Sequence, residues 1–399
     1  MEDRIIICKK DGVTISAKFT DRRCNRLSFY RDETTLRVGD IYIGRIESLV
    51  PSMNACFVNI GFTDNVYVPF EKMNSPYIEP AHRDGKIHVG DKLLVMIERL
   101  PSKNKPASAV MDISLVGNKL VLLQGRKGLS FSKKITDSER REALKSLFAE
   151  KKCDDFGLML RTNAPFSSDE ELLTEYSLLT DTFRSITERF RYGKEGTRLY
   201  QGLPEYLCFL RDEYLPELSE LVTDDPDIFS QVQAYCKQFL PNVSDKVRFY
   251  ADKRISLYHV YDMKRIIEEA TARKVWLKSG ASLVFDKTEA MTVIDVNSDK
   301  ASEAKGAKGL LHQINLEAAE EIMHQLMLRN LSGIIIVDFI NTKGSDDEKE
   351  LLKLLQELSR RDYRRTVAVD ITELGLVELT REKREVPISE RIRQLSFIP

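Results

Sequence analysis

Three polar side chains at the ends of two apolar runs are the residues best placed to do chemistry. In Met291-Thr-Val-Ile-Asp-Val-Asn-Ser298, Asp295 and Asn297 are two positions apart, so on a strand both point to one side. A second run, Gly333-Ile-Ile-Ile-Val-Asp-Phe-Ile340, carries Asp338 in the matching place. Two carboxylates and an amide are hard oxygen donors of the kind Mg²⁺ takes, with water and phosphate oxygens completing the octahedron. Mn²⁺ accepts the same donors. An ion so held would polarise a phosphodiester oxygen and supply hydroxide near neutral pH. The reading is a divalent-metal site for phosphodiester chemistry: Asp295 and Asp338 are the ligands, and Asn297 orients a carboxylate or a metal water. One strand-end Asp alone more often caps a loop or helix. Zinc suits the region less, because its only His residues, His312 and His324, read as structural or solvent-facing.

The elements around them must bring the two aspartates together. A helical pattern runs from Asn315 to Arg329, between the two apolar runs. Strand, crossover helix and strand predict a parallel βαβ unit. Its carboxyl ends are where ligands of open α/β sheets sit. A second helix follows, with Ser345-x-x-Glu348 as a capping box and Leu351, Leu352, Leu355 and Leu358 on its core face. A third strand, Thr366 to Ile371, comes after the basic run Arg360 to Arg365.

Upstream, residues 1–35 read as a strand meander with Asp11-Gly12 as a hairpin turn. It is too short for a core of its own and must pair with a later segment. Five short strands between Val38 and Leu115, the last spanning Ala109 to Leu115, predict a small closed barrel of OB type. Such barrels bind single strands through aromatics and cations. Phe57, Tyr67, Lys103 and Lys105 are the candidates, although alternation alone puts Phe57 in the core. Further on, helices are expected from Ser138 to Lys151, with a Thr136-x-x-Glu139 box, and from Ser168 to Tyr192, with a Ser167-x-x-Glu170 box. Between them the strand Gly157 to Asn163 ends in Arg161 and Thr162, a phosphate-holding pair or a plain surface pair. Residues 200–279 mix a strand (Tyr206 to Asp212), a helix (Pro226 to Phe239), a strand (Val247 to Tyr250) and a helix (Val260 to Arg273).

Composition bounds the class. Lys and Arg total 61 against 62 Asp and Glu, so any nucleic-acid-binding surface must be local rather than a bulk basic charge. Cys8, Cys24, Cys56, Cys153, Cys208 and Cys236 are scattered with no CxxC pair, and read as reduced thiols of a cytoplasmic protein. There is no signal-peptide pattern, and no apolar run approaches the ~18 residues needed to span a membrane.

Several of these stretches resemble the ribonuclease E/G family. They are Asp295-x-Asn297-Ser298, Asn315-Leu-Glu-Ala-Ala-Glu-Glu-Ile322, Gly333 to Ile340, Ser279 to Ala290, Gly375 to Arg381, Ile41-Tyr-Ile-Gly-Arg45 and Phe57-Val-Asn-Ile-Gly61. The resemblance covers nearly the whole chain and implies an α/β multidomain plan. An RNase H-like domain (1–36 and 205–279) is split by an inserted OB-fold barrel of S-one type (37–118). A 5′-sensor α/β domain (119–204) and a deoxyribonuclease-I-like catalytic domain (280–399) complete it. It implies an endoribonuclease in RNA processing or decay, rRNA included, that cuts single-stranded A/U-rich RNA to leave 5′-monophosphate and 3′-hydroxyl ends. It also implies roles for residues: Asp295 and Asp338 as metal ligands with Asn297 in support; Phe57, Tyr67 and Lys105 on RNA; Arg161, Thr162 and Arg365 on a 5′-monophosphate. Single-stranded RNA is the expected partner, and other RNA-decay proteins are compatible ones. The family's CPxC zinc-link and small domain have no counterpart in the sequence, so any homo-oligomer is expected to form without a zinc-link. Two places depart from the family pattern: the loop 299–314, containing Lys300-Ala-Ser-Glu-Ala-Lys-Gly-Ala-Lys-Gly309, and Asn341, where the family often has Asp. They motivate the alternative of a non-catalytic RNA-binding or ribosome-associated protein with a degenerate site.

Overall fold

The computed structural model describes residues 2–31, 36–73, 76–80, 82, 86–101, 105–151, 155–213, 215, 218–252, 254–298, 308–340 and 346–399. Lys103, Cys153, Asn341, Ser345 and most of the loop after Ser298 lie outside them. The chain forms two compact units, one of residues 1–32 with 215–399 and one of residues 33–214.

The first unit opens with the antiparallel meander β1 (Asp3–Lys10), β2 (Val13–Thr20) and β3 (Arg23–Tyr30). Both hairpins turn on two residues with positive φ: Asp11 (50°) with Gly12 (75°), and Asp21 (47°) with Arg22 (69°). That pattern matches the twist of the flanking strands, which is why so short a meander is well defined.

The second unit holds two sheets. The first contains β4 (Ile41–Val50), β5 (Ala55–Asn59), β6 (Val66–Pro69), β7 (Ile78–Glu79), β8 (Lys92–Arg99) and β9 (Ser108–Val110). β4, β5, β6, β9 and β8 pair in that order, and β8 pairs back onto β4, closing a five-stranded barrel consistent with an OB fold. Gly61, at φ +91°, packs its backbone on Gly196 so closely that a Cβ there would lie 3.0 Å from the Gly196 Cα. The expected strand from Ala109 to Leu115 is two strands. β9 stays in the barrel, and β10 (Ser114–Val116) begins the second sheet, in the order β10-β11-β13-β12. Its other members are β11 (Leu120–Gln124), β12 (Leu129–Phe131) and β13 (Phe156–Leu160). The break has a packing cause: Met111 is buried in the barrel core and Ile113 in the core of the second sheet. β14 (Arg198–Tyr200) pairs with β4.

Three local expectations in this unit are corrected. The segment from Tyr206 to Asp212 is a helix, Glu205–Asp212, entered from Pro204 and burying Tyr206, Leu207, Phe209 and Leu210, a helical rather than alternating spacing. Asp137, not Thr136, caps the helix Ser138–Leu147 through its bond to the Arg140 N–H. The capping box of the helix Asp169–Tyr192 is Ser168 with Glu171, one position beyond the expected pair.

The first unit resumes with β15 (Leu218–Thr223), parallel to β1, and β16 (Val247–Phe249), parallel to β15. The five-stranded order is β16-β15-β1-β2-β3, so the meander finds its missing partner in this later segment. The last helix of this stretch begins at Met263 rather than Val260, because Asp262 is left-handed (φ 48°) and breaks the turn. The six-stranded sheet follows: β17 (Lys274–Trp276), β18 (Ser282–Lys287), β19 (Met291–Asn297), β20 (Gly333–Asp338), β21 (Thr366–Ile371) and β22 (Leu376–Arg381). Its order is β17-β18-β19-β20-β22-β21, with β19 and β20 parallel and joined through the crossover helix Lys308–Leu328. One face is covered. Ile294, Val296, Ile335, Val337 and Leu379 pack there against Ala318, Ile322 and Leu326 of the crossover helix and Leu351 and Leu355 of the helix Asp346–Arg361. The other face is open and carries exposed Trp276, Met291, Ile334, Val367 and Val369. Among the described residues, no helix is long and apolar enough to cross a membrane.

Candidate active site on the open sheet face

The register of β19 and β20 sets Asp295 directly opposite Asp338, the pairing expected from the two apolar runs. Neighbouring strands lie ~4.8 Å apart, so the two carboxylates rise from adjacent backbones on the same face. Both are exposed. Among the described residues neither makes an ion pair. The Asn297 Nδ2 donates to Asp295 Oδ2 at 2.8 Å, which fixes that carboxylate and leaves its other oxygen for a ligand. The same row continues across the sheet, from Lys274 on β17 through Val284, Asp295 and Asp338 to Leu376 on β22. The next row is Trp276, Ser282 and Asn297. Sequence reasoning missed Lys274 and Trp276. Their signal was the alternation Lys-Val-Trp-Leu at 274–277, in which only Val275 and Leu277 are buried.

The crossover helix positions this row from behind. The buried Asn315 side chain clamps the chain just past Asp338, donating to the Ile340 carbonyl at 2.8 Å and accepting from the Ile340 N–H at 3.1 Å. Glu317 Oε1 accepts from the Lys278 N–H at 2.8 Å and so holds the turn between β17 and β18. Both histidines have structural partners: His312 meets Glu350 at 2.9 Å, and the buried His324 Nε2 donates to the Cys24 carbonyl at 2.8 Å.

In the second unit, Phe57 and Tyr67 face each other across β5 and β6, with ring centroids 6.1 Å apart and nearly edge-on at 67°. Both rings are half-buried on the outer face of the barrel, while Cys56 and Val58 point into its core. The core placement that alternation suggests for Phe57 is therefore corrected: the apolar run is real, but its odd member lies outside. Lys105 is exposed. Arg161 and Thr162 follow β13. The Arg161 Nη1 donates to the Gly117 carbonyl and Nη2 to Asp212, both at 2.6 Å. Burial raises the Asp212 carboxyl, but Arg211 and Arg161 outweigh it and bring it to about 2. Thr162 Oγ1 is 3.2 Å from Ser132 Oγ, a neighbour the sequence did not single out. Arg365, in the first unit, is exposed just ahead of β21.

A buried carboxylate shapes the loop that Arg161 touches. Glu175 Oε1 accepts from the N–H groups of Lys119 and Leu120, both at 2.8 Å, and a Cβ at Gly117 would lie 2.1 Å from that oxygen. Replacing Glu175 by Ala strands two buried donors and is expected to cost roughly 1–3 kcal/mol in urea unfolding. Burial also raises the Glu175 carboxyl above its ordinary 4.5, against those two N–H bonds. The folded state then holds the proton more tightly, and stability falls as pH rises from the ordinary value through the raised one. Glu175→Gln should remove that slope.

A family model described as "Ribonuclease E/G family" matches residues 114–384. Ribonuclease G of Escherichia coli K12 is 30% identical over 357 residues, spanning 87% of this chain and 73% of that protein. Ribonuclease E of Haemophilus influenzae is 28% identical over 360 residues, 88% of this chain and 38% of that one. The chain belongs to the ribonuclease E/G family. Asp295, Asn297, Asp338, Arg161, Thr162 and Arg365 fall within the stretch matched to the ribonuclease E/G model, while Phe57, Tyr67 and Lys105 precede it.

Proposed function

We propose that this chain is a metal-dependent endoribonuclease that cuts single-stranded, A/U-rich RNA and leaves 5′-monophosphate and 3′-hydroxyl ends. One observation carries the reading: in a chain of the ribonuclease E/G family, Asp295 and Asp338 stand opposite each other on an open sheet face. The residues fit a hard divalent cation. Among the described residues no group of three or more His, Cys, Asp or Glu converges, and two carboxylates completed by water and substrate oxygens are a donor set that Mg²⁺ accepts. Asp295 and Asp338 would hold Mg²⁺, or Mn²⁺ in its place, and the bound ion would supply charge neutralisation on the phosphate and a more acidic water. Asn297 keeps the Asp295 carboxylate in one plane. Phe57 and Tyr67 offer aromatic edges and faces for unstacked bases, and Lys105 a cation for the backbone. Arg161 and Thr162 are read as contacts for a 5′-monophosphate, which must share the Arg161 fork with Asp212, and Arg365 is a further cation for the same end of the RNA. The five-stranded sheet is read as RNase H-like and the six-stranded one as deoxyribonuclease-I-like.

The test is cleavage of an end-labelled A/U-rich oligomer with Mg²⁺, with Mn²⁺ and with EDTA, and chemical mapping of both product ends. Metal-dependent cuts with the stated ends are expected, faster on 5′-monophosphorylated than on 5′-triphosphorylated RNA, with Arg365→Ala erasing the difference. Bound RNA that stays intact with either metal would overturn the reading in favour of a non-catalytic RNA-binding protein.

A further inference from the structure

Trp276 is the single tryptophan of the chain, and it stands on the open face with 57% of its surface exposed. It belongs to β17, the edge strand of the six-stranded sheet. Strand register ties it to the aspartates. Lys274 lies in the row of Asp295 and Asp338, and Trp276 in the row of Asn297, each two strands from β19. At ~4.8 Å per strand step, Lys274 and Trp276 are rooted ~10 Å from Asp295 and Asn297. A strand of RNA with one phosphate at the carboxylates would pass a neighbouring nucleotide over them.

The two side chains also associate. The Lys274 Nζ lies 4.0 Å from the centroid of the Trp276 ring, so a cation covers one ring face and the exposed remainder can take a flat ligand on the other. An aromatic ring with an adjacent ammonium is the combination by which proteins hold single-stranded nucleic acid: the base stacks and its phosphate meets the charge. The platform is braced, because Glu317 binds the turn that follows β17. An aromatic set only to pack would take a Val275 or Leu277 position, on the covered face.

We propose that Trp276, with Lys274, is a stacking subsite for one base of the RNA, one or two nucleotides from the scissile phosphate. The inference rests on the endoribonuclease reading and adds a positioning residue to it. Because the chain has one tryptophan, its fluorescence reports on this ring alone. A single-stranded A/U-rich decamer titrated into the full chain in EDTA should quench the emission, with the midpoint given by anisotropy of the labelled RNA. Moving an abasic site along the decamer should abolish the quench at one position near the cleavage site. In cleavage assays with Mg²⁺, Trp276→Ala should raise KM roughly tenfold with kcat nearly unchanged, and Trp276→Phe should restore most of the loss. RNA binding that leaves the emission unchanged, or a quench indifferent to every abasic placement, would overturn the subsite. So would emission already blue-shifted and shielded from acrylamide, which would place the ring against protein. Failure of the nuclease reading would show instead as wild-type protein that binds the decamer without cutting it.

Discussion

Asp295→Asn and Asp338→Asn should each lower cleavage of single-stranded RNA by at least roughly 10²–10³-fold, while binding of the same RNA persists. Asparagine keeps the size and planarity of the side chain and removes its charge. The fold has no stake in that charge: both residues are exposed at the ends of their strands, and their covered neighbours, Ile294, Val296 and Val337, carry the packing. What changes is the field where Asp295 and Asp338 oppose each other across the two strands. Asn297→Ala should have a smaller effect, because it frees the Asp295 carboxylate to rotate without discharging it. Its signature is a weaker apparent Mg²⁺ affinity with a maximal rate nearer wild type. Single-turnover cleavage across a Mg²⁺ series separates these outcomes. Wild-type rates from both aspartate variants would refute the assignment of this pair.

The largest expected loss of stability comes from a different pair. Asp362 and Arg381 are wholly buried and joined by two bonds, Arg381 Nε to Asp362 Oδ2 at 2.7 Å and Nη2 to Oδ1 at 3.1 Å. Thr366 donates to the same carboxylate at 2.6 Å, as does the Arg364 N–H at 3.0 Å, and Arg381 Nη1 donates to the Leu331 carbonyl at 2.9 Å. The cluster ties the end of the helix Asp346–Arg361 to β22 and to the chain entering β20. Arg381→Met leaves a buried carboxylate without its cation and should cost ~3–5 kcal/mol. Replacing both partners with apolar residues should recover most of that, because the desolvation cost of the charges disappears with them. Burial alone would raise the Asp362 carboxyl, but Arg381 outweighs it and holds it below the ordinary 3.8. The pair's stabilisation is therefore present above the ordinary carboxylate value and lost as pH falls through the lowered one. The double variant should lack this acid-side dependence. Urea unfolding at neutral pH and across the acid range measures both effects.

Much of the local architecture was legible. Asp11-Gly12 forms the expected turn because two positive φ values suit those residues. The crossover pattern beginning at Asn315 is part of the longer helix Lys308–Leu328. The structure departs from the sequence pattern where neighbouring apolar residues serve different cores or a different period. Met111 and Ile113 belong to different cores, which splits a strand that reads as continuous. Between Tyr206 and Asp212 the apolar residues are Tyr206, Leu207, Phe209 and Leu210, a helical spacing in a window too short to stand out as a helix.

By itself the sequence determined what each strand-end residue is and which side of its own strand it takes: Asp295 with Asn297 on one side, and Asp338 at the end of a strand of its own. These follow from a two-residue period that needs no partner. Only the tertiary structure decided which strands are neighbours and in what register. It set Asp295 opposite Asp338 across 43 positions of chain, extended that row to Lys274, and turned Phe57 outward beside Tyr67. The physical reason is that register is settled by burial of one sheet face. A slip of β19 by one residue would carry Ile294 and Val296 out of the core and Asp295 and Asn297 into it.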